Sequence, residues 1–228
     1  MADGLSAESP ARQRIGLLGG SFNPAHGGHR AISLRVMEAL GLDAVWWLVS
    51  PGNPLKPKAG MAPLAARLAS ARKMARNSRI LAAAPEAVWG TRYTIDTLEK
   101  LQHRFPQHDF IWLMGADNLA QFDRWRDWRK IALTVPIAVI ARPSYDAAAR
   151  SQVATGWLRD AVRPSASCQQ WTAWSLPALV FLRFPPDPRS ASAIREADPL
   201  WHHAYGSPKM REPLTRQYLP VSGEEERF

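Results

Sequence analysis

The 228-residue chain is expected to fold as an α/β protein: a Rossmann-like doubly wound parallel sheet with helices on both faces and a small C-terminal helical part. Two observations predict this. Short, near-continuous runs of Val, Ile, Leu and Trp alternate with longer stretches of helical composition, the pattern of strands buried on both faces. The first such run also empties into a glycine-rich strand-to-helix turn, the usual mouth of a phosphate site in such sheets.

Taken in order, the strands are expected at Arg14 to Leu18, Val45 to Ser50, Ile80 to Ala83, Asp109 to Met114, Ile137 to Ala141 and Leu179 to Phe181. Helices are expected at His26 to Leu40, Ala62 to Arg76 and Thr94 to Arg104, with a short aromatic one near Asp123 to Ala132. Pro185, Pro186 and Pro188 punctuate the entry to a late helix near Ser190. Each crossover should be right-handed. Residues 1–13 read as a flexible tail, 14–204 as one catalytic-size domain and 205–228 as a polar, proline-containing peripheral tail.

Composition narrows the function. Hydrophobic residues make up 46% and charged residues 21%, within the globular range. A single cysteine, Cys168, excludes an internal disulfide and a cysteine-based metal site, and points to the cytoplasm. Neither a signal peptide nor an apolar run long enough to span a bilayer is present, so no membrane role is expected. A net charge of +9 favours an anionic partner: a nucleic acid, an acidic lipid surface or a phosphorylated small molecule.

The sharpest signal is the turn Gly19-Gly20-Ser21-Phe22-Asn23-Pro24-Ala25-His26-Gly27-Gly28-His29. Gly19 and Gly20 carry no side chain to block a phosphate from the strand end, and Pro24 suits a helix entry. His26 and His29, three apart, share one face of the first helical turn, where unpaired amides and the dipole already favour negative charge. The dinucleotide fingerprint Gly-x-Gly-x-x-Gly is missing from this turn, so the phosphates belong to a substrate and not to a bound redox cofactor.

This stretch resembles the signature of the nicotinate-nucleotide adenylyltransferase family, among the nucleotidyltransferases that carry a His-x-Gly-His motif. The resemblance runs from about Arg14 to Arg195 through five further segments. It implies ATP and nicotinic acid mononucleotide as substrates, with His26 and His29 as the catalytic pair and Gly19, Gly20, Ser21 and Phe22 beside ATP. Ser190-Ala191-Ser192-Ala193-Ile194-Arg195 is similar to the family's second phosphate motif, Ser-Ser-Thr-x-Ile-Arg, and assigns Ser190, Ser192 and Arg195 to the β- and γ-phosphates. Ala191 departs from the pattern, and Ser192 replaces Thr while keeping the hydroxyl. Gly115-Ala116-Asp117-Asn118 is similar to the segment on the adenosine side, where Asp117 would accept from ribose hydroxyls or cap the next helix. Arg142 falls near the adenine by the same resemblance.

For the mononucleotide, the resemblance implies Asn53 and Lys56 at the phosphate, Tyr93 and Thr94 at the nicotinate carboxylate, Asn118 nearby and Trp125 stacked on the pyridine ring. Phe122 and Trp128, which complete a three-residue aromatic stripe with Trp125, are expected in the core. A carboxylate gains from amide donors at a helix start, whereas the amide of nicotinamide would leave donors facing donors, a mismatch of ~1–3 kcal/mol. With no clustered carboxylates, no protein-held metal is expected, and Mg2+ would ride on the ATP phosphates.

Two other readings are compatible with the sequence. One keeps the fold and changes the chemistry, taking nicotinamide mononucleotide or phosphopantetheine as acceptor or transferring a cytidylyl group. The other is a basic RNA-binding protein, motivated by Arg72, Lys73, Arg76 and Arg79 on one helix and its end; that cluster reads as a solvated face, and no nucleic-acid partner is expected. Homo-oligomerisation is left open.

Overall fold

A run that is apolar on both of its faces can be hidden only by covering both faces, and the chain does so in the computed structural model, which describes residues 12–52, 60–141, 153–206 and 209–220. Along the chain come β1 (Gln13–Gly20), α1 (Gly27–Leu40), β2 (Ala44–Val49), α2 (Leu64–Ala75), β3 (Ile80–Ala83), α3 (Pro85–Trp89), α4 (Thr94–Arg104) and β4 (His108–Gly115). There follow α5 (Ala116–Leu119), α6 (Trp128–Thr134), β5 (Ile137–Ala141), α7 (Val153–Trp157), β6 (Val162–Arg163), β7 (Leu179–Arg183) and α8 (Ala191–Ala197). The strands form one seven-stranded sheet in the order β3-β2-β1-β4-β5-β7-β6, with every pairing parallel. This is the expected Rossmann-like doubly wound α/β architecture.

Successive residues of β2 serve opposite cores. Val45, Trp47 and Val49 pack with Val36, Met37 and Leu40 of α1 and Leu64, Leu68 and Ala71 of α2, while Trp46 and Leu48 pack with Ile95, Leu98 and Leu101 of α4 and Ile131 of α6. Each fully buried side chain of this size contributes roughly 1.5–3 kcal/mol. Trp47 also donates through Nε1 to Ser33 Oγ at 2.8 Å, and Ser33 donates to the His29 carbonyl at 2.8 Å, so the middle of β2 is tied to the first turns of α1.

The winding reverses at β1. From there the chain goes outward through β2 and β3, then crosses to the other side of β1 to lay down β4. A crevice opens beyond the carboxyl ends of the two strands that flank such a reversal. Here those ends are Gly19-Gly20 of β1 and Gly115 of β4.

Three local expectations change. The aromatic helix is split: Phe122–Arg124 is a single 3-10 turn, Trp125 is extended, and Asp127 adopts the left-handed region at φ 49° before α6 begins at Trp128. Phe122 and Trp128 are nonetheless buried, as their spacing predicted. Asp117 does not cap α5, whose N-cap position is Gly115 and has no side-chain bond. Of the expected tail 205–228, the described residues 209–220 pack against the body. Glu212 is completely buried and accepts from the Ala84 amide at 3.2 Å and the Thr215 amide at 2.6 Å, and Arg72 of α2 donates to the Arg211 carbonyl at 2.6 Å. Lys73, Arg76 and Arg79 are exposed, as a solvated face requires, while Arg79 also donates to the Leu42 carbonyl and Lys73 stands 5.8 Å over the Tyr205 ring.

Candidate active site

The glycine turn leaves β1 through Phe22, a non-glycine residue held at φ 46°, a conformation that persists only where surroundings impose it. Those surroundings are a stack on Trp47, ring centroids 5.0 Å apart, and an anchored Asn23. Asn23 donates through Nδ2 to the Gly60 carbonyl at 2.9 Å, accepts from the Ala62 amide at 3.2 Å, and offers its own carbonyl to Arg195 at 2.5 Å. Below the turn, buried Arg67 of α2 donates to the carbonyls of Ala62, Ser21, Ser50 and Pro51 at 2.7–3.1 Å. One guanidinium thus holds the loops that follow β1 and β2 side by side.

The turn ends in a reciprocal cap of α1. Nδ1 of His26 accepts from the Gly28 amide at 3.1 Å, and Nδ1 of His29 accepts from the His26 amide at 3.2 Å. Two acceptor Nδ1 atoms leave the hydrogen of each neutral ring on Nε2. The rings lie 3.9 Å apart, and both line a cavity of about 510 Å³ at the crevice. Its walls also include Gly19, Gly20, Gly28, Asp117, Asn118 and Ser190, together with Arg35 of α1, Asp187 and Arg189. Asp187 and Arg189 are paired at 2.5 Å, and these hydrogen bonds hold the Asp187 carboxyl well below the usual carboxylate range, with His26 adding to the effect.

A second cavity, about 180 Å³, lies across the same glycines. Its wall contains Gly19, Gly20, Ser21, Ser50, Gly52, Tyr93, Thr94, Asn118 and Trp125, with Arg92, Arg124 and Arg126 adding positive charge. α4 starts here at Thr94, and its N-cap Tyr93 makes no side-chain bond, so amides of the first turn are left for an incoming acceptor. Trp125 meets Trp112 and Phe122 edge-on, at interplanar angles of 83° and 71°. Glu86 of α3 sits in the same wall. Burial raises its carboxyl to about 7, against the lowering effects of a hydrogen bond from Thr97 and of the Arg67 charge.

Gly19 is the pivot between the cavities. A methyl group on it would stand 2.9 Å from the Trp112 ring, closer than carbon atoms tolerate, so β1 can approach β4 here only with a glycine. Gly19, Gly20 and Asn118 belong to both walls.

The sequence-derived residues therefore divide. His26, His29, Gly19, Gly20, Asp117, Asn118 and Ser190 come together in the larger cavity, and Ser21, Tyr93, Thr94 and Trp125 in the smaller. Phe22 also lines the larger cavity, although it is buried and packs on Trp47. Ser190 caps α8 by accepting from the Ala193 amide at 3.1 Å. Ser192 and Arg195 do not line either cavity; Arg195 donates to Ser192 and to the Asn23 carbonyl. Asn53, Lys56 and Arg142 lie outside the described residues. Sequence reasoning missed Arg35, Arg67, Glu86, Asp187 and Arg189. Only the last two had a local signal, a pair of opposite charges two apart within a proline run. Among the described residues no three His, Cys, Asp or Glu side chains are grouped to hold a metal ion, and no helix is long and apolar enough to cross a membrane.

The chain resembles known proteins along most of its length. The cytidylyltransferase-like family model matches residues 17–197. A protein of Erythrobacter litoralis named probable nicotinate-nucleotide adenylyltransferase is 56% identical over 206 residues, 90% of this chain and 94% of that one. A protein of the same name from Parvibaculum lavamentivorans is 54% identical over 80% of this chain and 91% of its own. In fold, the chain is similar to nicotinic acid mononucleotide adenylyltransferase of Plasmodium falciparum complexed with NaAD, at a TM-score of 0.59 and 16% identity over 81% of this chain and 83% of that one. With its glycine turn, its paired imidazoles and these relatives, the chain belongs to the cytidylyltransferase-like family and, within it, to the nicotinate-nucleotide adenylyltransferases.

Proposed function

We propose that this protein transfers the adenylyl group of ATP to nicotinic acid mononucleotide, forming nicotinic acid adenine dinucleotide and pyrophosphate, a step of NAD biosynthesis. The observation that carries this reading is that two cavities of different character share the edge formed by Gly19, Gly20 and Asn118. The larger, with the His26 and His29 rings in its wall, takes ATP. The smaller, with the α4 start, Trp125 and three arginines, takes the mononucleotide. Their common edge is where the acceptor phosphate meets the α-phosphorus.

The chemistry asks for little beyond placement. An oxygen of the mononucleotide phosphate, already anionic, bonds to the α-phosphorus as the bond to the bridging α,β-oxygen breaks, and that oxygen leaves on pyrophosphate. No general base is required. Holding two repelling anions in line supplies ~7–11 kcal/mol of the barrier. In this reading the Nε2–H groups of His26 and His29 and the amides at Gly19 and Gly20 face charge that grows on the α-phosphate and the leaving group. Thr94 and the first-turn amides of α4 receive the nicotinate carboxylate, and the Trp125 face covers the pyridine ring. Asp117 faces the ribose. The second phosphate motif acts partly at a distance: Ser190 reaches the cavity, while Arg195 steadies Asn23. Asn53, Lys56 and Arg142 complete the proposal from outside the described residues.

Magnesium would arrive on the nucleotide phosphates, and among the described residues no group of three acids, histidines or cysteines forms a site of its own for it. Such an ion would supply charge neutralisation at the phosphates.

The test is pyrophosphate release from ATP and magnesium with either nicotinic acid mononucleotide or nicotinamide mononucleotide. Rapid release with the acid and much slower release with the amide is the expected result. Equal rates, or release with neither, would overturn the assignment of the smaller cavity.

A further inference from the structure

We propose that Arg189 is a phosphate-binding residue of the ATP cavity, held in reserve by Asp187, whose carboxylate occupies an anion position there until ATP phosphate takes its place. The inference rests on the larger cavity being the ATP site and deepens that reading.

The pair is built by a short stretch of sequence, Asp187-Pro188-Arg189. The central proline restricts the backbone and brings the side chains at either side together. Asp187 Oδ1 accepts from the Arg189 amide at 3.0 Å and from Nε at 2.8 Å, while Oδ2 accepts from Nη2 at 2.5 Å. Such two-pronged pairing presents a planar guanidinium to a planar anion, the geometry that also suits a phosphate.

Its place in the fold gives the pair a function. Arg189 lies directly against Gly27, so close that any side chain at Gly27 would collide with it. Asp187 Oδ1 would be 3.3 Å from a methyl group on Gly28. Both residues are in the cavity wall beside His26, His29 and Ser190. Asp187 is therefore an anion placed among the donors assigned to ATP. The family's second motif assigns phosphate binding to the arginine at 195, yet that side chain is turned to the Asn23 carbonyl and does not line the cavity. Of the two guanidiniums that the described residues bring to the wall, Arg35 is tied to the Pro185 carbonyl at 2.8 Å, and Arg189 is the one against the first turn of α1. The Arg189 side chain is 55% exposed, which leaves it room to rotate from one anion to another.

The exchange has a distinctive signature. A pair that merely fastened the loop would weaken binding when either member was removed. A reserved arginine behaves asymmetrically: losing Arg189 removes a phosphate contact, while losing the Asp187 charge removes a competitor.

The experiment measures equilibrium binding of inorganic tripolyphosphate, and of ATP with magnesium, to the wild-type protein and to R189Q, D187N and D187S. R189Q is expected to bind both probes about tenfold more weakly, and D187N and D187S to bind both more tightly than wild type. Weaker or unchanged binding in both folded Asp187 variants, or unchanged binding in R189Q, would overturn the proposal. Using two Asp187 replacements, each checked by its thermal transition, keeps the test open if one fails to fold. Tripolyphosphate carries no base and no acceptor, so this result stands apart from the adenylyl-transfer assay. Loss of turnover with the expected binding shifts would count against the proposed function and leave Arg189 as assigned.

Discussion

Replacing His26 separates two tasks that one ring performs. The first is structural: Nδ1 accepts the Gly28 amide and so caps α1. Substituting alanine for an N-cap side chain costs about 1 kcal/mol, which for a domain of this size lowers the melting temperature by roughly 2–4 °C. The second, in the proposed function, is electrostatic: His26 lines the larger cavity and its Nε2–H would serve the developing charge, and removing one donor so aimed costs about 10²–10³ in kcat. Asparagine is among the best capping residues and has no group equivalent to Nε2–H. H26A should therefore lose both stability and turnover, whereas H26N should melt close to wild type and still lose about 10²–10³ in kcat. The measurements are thermal denaturation followed by circular dichroism and pyrophosphate release at saturating substrates. H26N turning over like wild type would refute the assignment of the outer nitrogen to catalysis, and an H26A that melts like wild type would refute the cap.

Three further outcomes are expected. W125A should raise KM for the mononucleotide about tenfold, the upper range for one aromatic stack, with KM for ATP unchanged; equal changes in both would remove Trp125 from the pyridine subsite. Glu86 has a folded-state pKa raised to about 7, so between its ordinary value and 7 the native state holds the extra proton and stability falls as pH rises through that window. E86Q should lack this slope and be more stable than wild type at pH 8 by about 1–3 kcal/mol, an upper range because the carboxyl borders the cavity; parallel stability curves from pH 5 to 8 would contradict it. R67M leaves the carbonyls of Ala62, Ser21, Ser50 and Pro51 without their buried donor and should destabilise the fold by about 3 kcal/mol or more. A denaturant midpoint equal to wild type would show that Arg67 does not clamp the two loops.

The sequence by itself determined the layered parallel sheet, because strands buried on both faces must be apolar along their buried stretch, as β2, β5, residues 15–18 of β1 and residues 110–114 of β4 are. It also determined the glycine turn and the nearness of the two imidazoles, since glycine freedom and the three-residue spacing are local rules, although His26 is the extended N-cap of α1 and only His29 lies within the helix. Even the core roles of Phe122 and Trp128 were readable from their period. Only the tertiary structure decided what those groups touch. That Arg67 reaches four carbonyls from three segments, and that Arg195 turns to Asn23 while Arg189 enters the cavity, depend on pieces far apart in the chain. The break at Asp127 and the return of Glu212 to the Ala84 amide have the same origin. Local periodicity reports which face of an element is buried; the partner buried against it is set by the closing of the whole fold, where burial and hydrogen bonding override what any short window prefers.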